Sequence, residues 1–325
     1  MKILGTHIGY INQGRILFLI FMLLLLIFLY LTYIRKTAKP REGFTQDAPF
    51  LVKRGDQEVY DDFLAQIYNR IWQPRGPNQY IFDAVEKLTE SSKEKSVILD
   101  AGCGTGELAG YAFDKGYKYV YAIDQSQDMI NYCAEKWPKM GAKQGNFLVP
   151  MSYDKGTFTH VFMTGDTIYH IQDKLTLLRN MFYWLMPNGY LILHLYDPLE
   201  FDPVPLAGRP VLVDSLKDIA SERITNSTID FLDFVFKSVY DFSKVGADNS
   251  IDSLDADAEV LHQTVFIDSN TKNVRQNETI LYMNSVNSIL RMCQYVGFLV
   301  HGQMNLGDST LRDPHQYIFL LERPH

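Results

Sequence analysis

The stretch of greatest chemical content is Val97 to Gly106, which reads VILDAGCGTG. An apolar run typical of a buried strand ends at the carboxylate Asp100, and glycines follow at alternate positions, Gly102, Gly104 and Gly106. Glycines so spaced allow a tight turn and let the backbone approach a ligand closely at the start of the next helix. The dinucleotide fingerprint G-x-G-x-x-G would need its third glycine at position 107. That position is Glu107, whose carboxylate would stand beside a pyrophosphate, so the fingerprint fails for an electrostatic reason. A ligand bearing positive groups would be attracted there instead. Eighteen residues past Gly106, Asp124 ends the apolar run YVYAI, where a carboxylate can accept both hydroxyls of a ribose. An aspartate at a strand end also serves as a helix N-cap, a role that Ser126 or Asp128 could take in its place.

These segments together resemble the class I S-adenosylmethionine-dependent methyltransferases, whose first motif is an acidic residue followed by x-G-x-G-x-G. Asp100 to Gly106 matches it at every fixed position. The resemblance runs through 96–198 and resumes at 286–323, and the cofactor it implies carries a sulfonium rather than a pyrophosphate. It places Asp100, Gly102, Cys103, Gly104 and Gly106 at the cofactor turn, and Asp124 with Gln125 at the ribose. Asn146 and Phe147, in Gly145-Asn146-Phe147, fall at the adenine, although Asn after Gly is also ordinary turn chemistry. The segment from Thr164 to His170, TGDTIYH, would border the transferred methyl, with Thr164 on the cofactor side. It lacks the Asn/Asp-Pro-Pro-Tyr/Phe motif of DNA amino methyltransferases, and the chain has no Pro-Cys dipeptide; it looks closer to the small-molecule members. His170, Asp166, Tyr169 and Asp197 are the candidates to position or deprotonate an acceptor. A histidine there can equally be a core residue satisfied by backbone. Asp166 with Asp197 supplies only part of the Mg²⁺ set of catechol-type members, and no metal is expected. Tyr60 and Tyr68, in YDDFLAQIYNRI, either fold over the cofactor or simply pack a helix.

Elements that could position these residues follow from periodicity. Apolar spacing predicts helices over 60–72 and 80–88. Strands at 96–99, 119–123, 159–163 and 190–195 then alternate with helices at 108–115, 127–136 and 174–184. Near-continuous apolar strands alternating with helices predict a parallel sheet covered on both faces. Residues 199–282 break the rhythm with fifteen acidic and seven basic residues, including Asp248, Asp252, Asp255, Asp257 and Glu259. An antiparallel hairpin, 262–267 with 274–283, closes this insertion, which reads as a substrate lid or a solvated elaboration. A helix at 286–296 and strands at 298–303 and 316–321 complete the chain. The expected fold is a doubly wound, seven-stranded Rossmann-like α/β sandwich, its last strand antiparallel as the resemblance implies.

The N-terminus reads differently. Between Arg15 and Arg35 lie nineteen uncharged residues, Ile16 to Ile34, fifteen of them Leu, Ile or Phe. As a helix they would reach about 28 Å, near a bilayer's hydrocarbon thickness. No A-x-A pattern follows, so a retained single-pass transmembrane helix is expected over 15–35, between a tail, 1–14, and a linker, 36–58. The methyltransferase-like domain then occupies 59–325. Two basic residues precede the span and six follow it closely, which by the positive-inside rule puts the domain in the cytoplasm. Residues 1–58 carry eight Lys/Arg and four Asp/Glu, so of a net −7 the remainder holds −11. Such acidity disfavours nucleic acid as a partner. The three cysteines show no disulfide or zinc spacing. The expected function is methyl transfer to a small molecule, a lipid-borne group or a membrane-proximal protein. The alternatives are an inactive membrane-tethered cofactor-binding scaffold and a cap or RNA methyltransferase; Glu107 weighs against a nucleotide-linked oxidoreductase.

Overall fold

The computed structural model describes residues 13–37, 48–74, 76–209, 222–245 and 259–325, in two units, Met1–Glu42 and Gly43–His325. In the first unit, α1 (Gln13–Thr37) is one continuous helix. Its side chains are described from Ile16 to Tyr30, and all are exposed. Fifteen residues make about 22 Å of helix. Among the described residues no helix is long and apolar enough to cross a membrane, so the expected span over 15–35 is not met by them. The tail at 1–12, the linker at 38–47 and the aspartates at 248, 252, 255 and 257 lie outside the described residues.

The second unit begins with β1 (Phe50–Arg54), α2 (Asp56–Val59), α3 (Asp62–Trp72) and α4 (Pro77–Thr89). Alternation follows: β2 (Val97–Ala101), α5 (Glu107–Asp114), β3 (Tyr119–Asp124), α6 (Gln127–Lys136), β4 (Gly141–Gln144), β5 (Phe158–Met163), α7 (Lys174–Trp184) and β6 (Leu185–Tyr196). After β7 (Asn226–Asp230), β8 (Phe234–Asp241), β9 (Glu259–Asp268) and β10 (Val274–Tyr282) come α8 (Val286–Val296), β11 (Leu299–Leu306) and β12 (Asp313–Glu322). A seven-stranded sheet runs β11-β12-β6-β5-β2-β3-β4. Its strands from β6 to β4 are parallel, and β12 pairs antiparallel with both β6 and β11.

Period-two side chains bury both faces of this sheet, as expected of a doubly wound fold. Leu99, Val161, Leu191 and Leu193 pack with Leu177, Leu178 and Met181 of α7 and Ile289 and Met292 of α8. Their neighbours Ile98, Phe162 and Ile192 face the other way, onto Phe82 of α4 and Leu108 and Ala112 of α5. The parallel strands therefore end together, and the loops after β2, β3 and β5 meet along one edge.

The insertion is more ordered than its charge suggests. A second sheet runs β1-β10-β9-β8-β7. Its first strand comes from the segment expected to be linker: β1 lies parallel to β10, from Phe50 opposite Val274 to Arg54 opposite Glu278. The aromatic face of this sheet, Phe234, Phe236 and Phe266, buries Leu64, Ile67 and Ile71 of α3.

Candidate active site

The turn after β2 is built as the glycines require. The N–H groups of Gly102 and Cys103 both donate to the Ile123 carbonyl, at 2.8 and 3.2 Å. Gly102 has φ +77°, and a Cβ there would come within 2.2 Å of Thr167 Cγ2. Gly104 has φ +50° and nothing within 4 Å of where a Cβ would stand. One glycine admits a neighbour, and the other leaves bare backbone towards open space.

That space is a cavity of about 670 Å³ at the carboxyl ends of the strands. Of the expected cofactor residues, Gly102, Gly104, Asp124, Gln125, Asn146 and Phe147 line it. Asp124 accepts the N–H groups of Gly104 and Ser126, each at 2.9 Å, so one carboxylate joins the glycine turn to the loop after β3. Burial raises its pKa, and those backbone donors partly oppose the rise. The helix-cap role belongs to Ser126, whose Oγ accepts from Met129 N at 3.1 Å. Asn146 Oδ1 accepts from Leu148 N, and the Phe147 carbonyl accepts from Asn180 Nδ2.

Four expected cofactor residues do not line the cavity. Asp100 is 2% exposed and accepts the Ala109 N–H in α5; burial pushes its carboxyl up to about 7. Cys103 and Gly106 belong to the turn's inner side, with Cys103 packed in the core beside Cys133. The Thr164 carbonyl accepts from Thr167 Oγ1 at 2.9 Å. Tyr169 is set apart from the other expected catalytic residues. Its ring is fully buried, and its hydroxyl is engaged by the backbone of Tyr196. Asp197 Oδ1 accepts from Leu199 N, away from the cavity. Among the described residues no group of His, Cys, Asp and Glu is arranged to hold a metal ion.

His170 and Asp166 do meet there, with a partner that composition concealed. His170 Nδ1 is 2.9 Å from Asp56 Oδ1, and Nε2 is 3.1 Å from Tyr60 Oη and 3.6 Å from Asp166 Oδ2. Burial opposes charge on this ring, but its hydrogen bonds to the carboxylates of Asp166 and Asp56, and their negative charge, push its pKa up to about 10. An imidazolium has no lone pair for a proton, so His170 cannot serve as a general base in this state. It holds Tyr60 and two carboxylates in place. Burial pushes Asp166 up, but the hydrogen bond and charge of His170 outweigh it and lower its pKa. The segment carrying Asp56 and Tyr60 is tied across the site, for the Tyr60 carbonyl accepts from Ser126 Oγ at 2.5 Å.

A second cavity, of about 100 Å³, adjoins the first, and Asp166 and Tyr68 line both. Trp72, Tyr196, Phe201 and Tyr240 add an aromatic wall, so the insertion contributes to it through β8. Sequence reasoning missed Asp56, Thr167 and the polar residues of this wall. Asp56 sits in the acidic run DQEVYDD, which announces a helix start but not a partner 114 residues away.

Residues 98–189 match the family described as Methyltransferase domain. Over those residues the chain carries a methyltransferase-type domain. Over 116 residues, or 34% of the chain, it is 36% identical to Phosphoethanolamine N-methyltransferase 1 of Zea mays. That match spans only 22% of the maize enzyme. Among solved structures, the CcbJ methyltransferase of Streptomyces caelestis superposes with a TM-score of 0.59 at 15% identity, covering 83% of this chain and all of that one. S-adenosylmethionine-bound CalS10, an amino pentose methyltransferase of Micromonospora echinaspora, gives 0.52 at 14% identity, covering 82% of this chain and 99% of that one. These likenesses support the doubly wound fold of the second unit.

Proposed function

We propose that this protein moves a methyl group from S-adenosylmethionine to the nitrogen of a small-molecule amine. The observation that carries the reading is Asp166, whose carboxylate borders both cavities and lies 3.6 Å from His170 Nε2. The residues suit the cofactor: bare backbone at Gly104 for its methionine end, Asp124 for the ribose hydroxyls, and Asn146 with Phe147 for the adenine. When bound, the cofactor supplies a methyl carbon on a sulfonium; the acceptor's lone pair forms the new C–N bond while the C–S pair stays on sulfur. Positive charge then develops on the acceptor nitrogen, and Asp166 stands where a fixed negative charge favours it. The lowered pKa of Asp166 keeps it ionised, so it stabilises that charge, and the surplus proton passes to solvent. Tyr60, with Asp56 and Gln57 of α2, lines one wall of the site. The maize relative's name specifies N-methylation, and the CalS10 title an amino pentose, so both likenesses favour an amine.

The test is incubation of the full chain with isotopically labelled S-adenosylmethionine and separate panels of amines, phenols and carboxylic acids. Label found on oxygen, with every amine left unmodified, would refute the amine acceptor. The acidic domain disfavours nucleic-acid acceptors on charge.

We propose in addition that α1 attaches the protein to a membrane, with the domain on the cytoplasmic side. A helix apolar on all sides and exposed from Ile16 to Tyr30 has no favourable place in water. Flotation of the full chain with liposomes, lost on deleting residues 13–37, is the expected result; equal flotation of both would refute it. Asn226 and Asn277 each begin an N-x-S/T triplet, and their glycosylation in microsomes would overturn the orientation.

A further inference from the structure

The second cavity is aromatic, yet two of its lining residues carry buried polar atoms without a hydrogen-bond partner: His194 Nε2 and Gln73 Oε1. His194 is 3% exposed. Its Nδ1 accepts the Gly165 N–H at 3.2 Å, which leaves the ring proton on Nε2 and makes that atom a donor. Burial pushes its pKa down to about 4, so the ring is neutral; Gln316 beside it opposes that fall without closing a hydrogen bond to Nε2. Gln73 Oε1 is an acceptor. A buried donor and a buried acceptor left open on one small cavity match a group that both accepts and donates, and among small-molecule groups a hydroxyl does both.

Charge on the same wall narrows the class. Among the described lining residues the permanent cation is Arg209, and backbone engages it on three sides. Its Nε donates to the Val204 carbonyl at 2.8 Å, Nη1 to that of Leu311 at 2.6 Å and Nη2 to that of Asp202 at 2.6 Å. The Asp202 carboxylate lies 3.5 Å from Nε. Asp166 puts a second carboxylate on the wall. A phosphoryl group entering here would meet two carboxylates and a guanidinium already bound to carbonyls.

Resting on the amine reading above, we infer that this cavity holds the body of a hydroxylated amine that carries no phosphate, its hydroxyls accepting from His194 and donating to Gln73. Its nitrogen then lies at Asp166, the wall shared with the cofactor cavity. This specificity differs from that in the name of the maize relative.

The experiment uses the full chain and two matched probe pairs, ethanolamine with phosphoethanolamine and glucosamine with glucosamine 6-phosphate. Methylation kinetics are combined with calorimetric binding of each probe without cofactor. At least one unphosphorylated probe is expected to bind, with kcat/KM at least ten-fold above that of its phosphate ester. His194→Phe and, separately, Gln73→Leu should weaken its binding by about 10- to 100-fold and leave cofactor affinity unchanged, while His194→Gln, which keeps a donor, retains part of it. Preference for the phosphate esters, or unaltered probe binding in both variants, would overturn the subsite. Methylation of phenols or acids with no amine accepted would instead overturn the amine reading, and the subsite with it.

Discussion

Replacing Asp124 separates a carboxylate that binds cofactor from one that merely shapes a loop. A carboxylate offers about four lone-pair directions. The N–H groups of Gly104 and Ser126, at 2.9 Å, take one on each oxygen and the Gln125 backbone adds a third, leaving at least one for a ribose hydroxyl. Each charge-assisted bond is worth about 1.5–3 kcal/mol, and water entering an open site returns part of that. Asp124→Ala should therefore weaken S-adenosylmethionine binding by about 10- to 1000-fold, at about 1.4 kcal/mol per decade. It should also cost stability without ligand, since two backbone donors lose their acceptor. Asp124→Asn should rescue little. Its amide has one oxygen for two backbone N–H groups, and its NH₂ must face one of them donor to donor. Calorimetry of cofactor binding, paired with thermal unfolding without cofactor, reads both effects. Wild-type affinity and melting in Asp124→Asn would refute the reasoning, because the charge and the second oxygen would then be dispensable.

Three further outcomes follow. The folded pKa of His170, about 10, lies above the unfolded value near 6.5, so its stabilising contribution is full below pH about 6.5 and lost as pH rises towards 10. The stability gap between wild type and His170→Gln should shrink over that window; a gap independent of pH would mean the ring is neutral in the fold. Gly102→Ala forces φ +77° on a residue with a Cβ and sets it against Thr167, costing at least about 1–3 kcal/mol in denaturant unfolding. Adding Thr167→Ala should return part of the loss, and strict additivity would refute the contact. Tyr60→Phe should slow methyl transfer more than it weakens cofactor binding, because His170 then lacks its hydroxyl partner; an effect on cofactor affinity alone would assign Tyr60 to the cofactor.

What was legible in the sequence depended on local signals. Helices α6, α7 and α8 have the expected bounds because Ser126, Asp173 and Ser285 cap them with side-chain oxygens just before an apolar period. The glycine turn and Asp124 were legible for a similar reason, as short-range geometry dictates residue type there. What stayed hidden depends on pairing across sequence. β1 is five residues with no turn signal of its own, and its partner lies more than two hundred residues on. β4, GAKQ, is an exposed polar edge without alternation. Tyr169 sits one residue from His170, but in a 3₁₀ turn neighbouring side chains diverge, so one reaches the cavity and the other the core.

The hidden pieces form one mechanical unit. Arg275 on β10 is 4% exposed and grips Asp61 with both nitrogens, at 2.9 and 3.0 Å, while its guanidinium lies 4.4 Å from the Phe63 ring. Asp61 also caps α3, accepting from Leu64 N, so the ion pair fixes where that helix starts. Next to it, Tyr60 is fastened at its carbonyl to Ser126 and at its hydroxyl to His170. The second sheet, α3 and the segment lining the cofactor cavity are thus joined within two residues. A guanidinium as buried as that of Arg275 is costly unless fully bonded, and here it has several partners. The same α3 carries Tyr68 and Trp72 to the second cavity, so a ligand that shifts those rings is mechanically connected to the segment that holds His170.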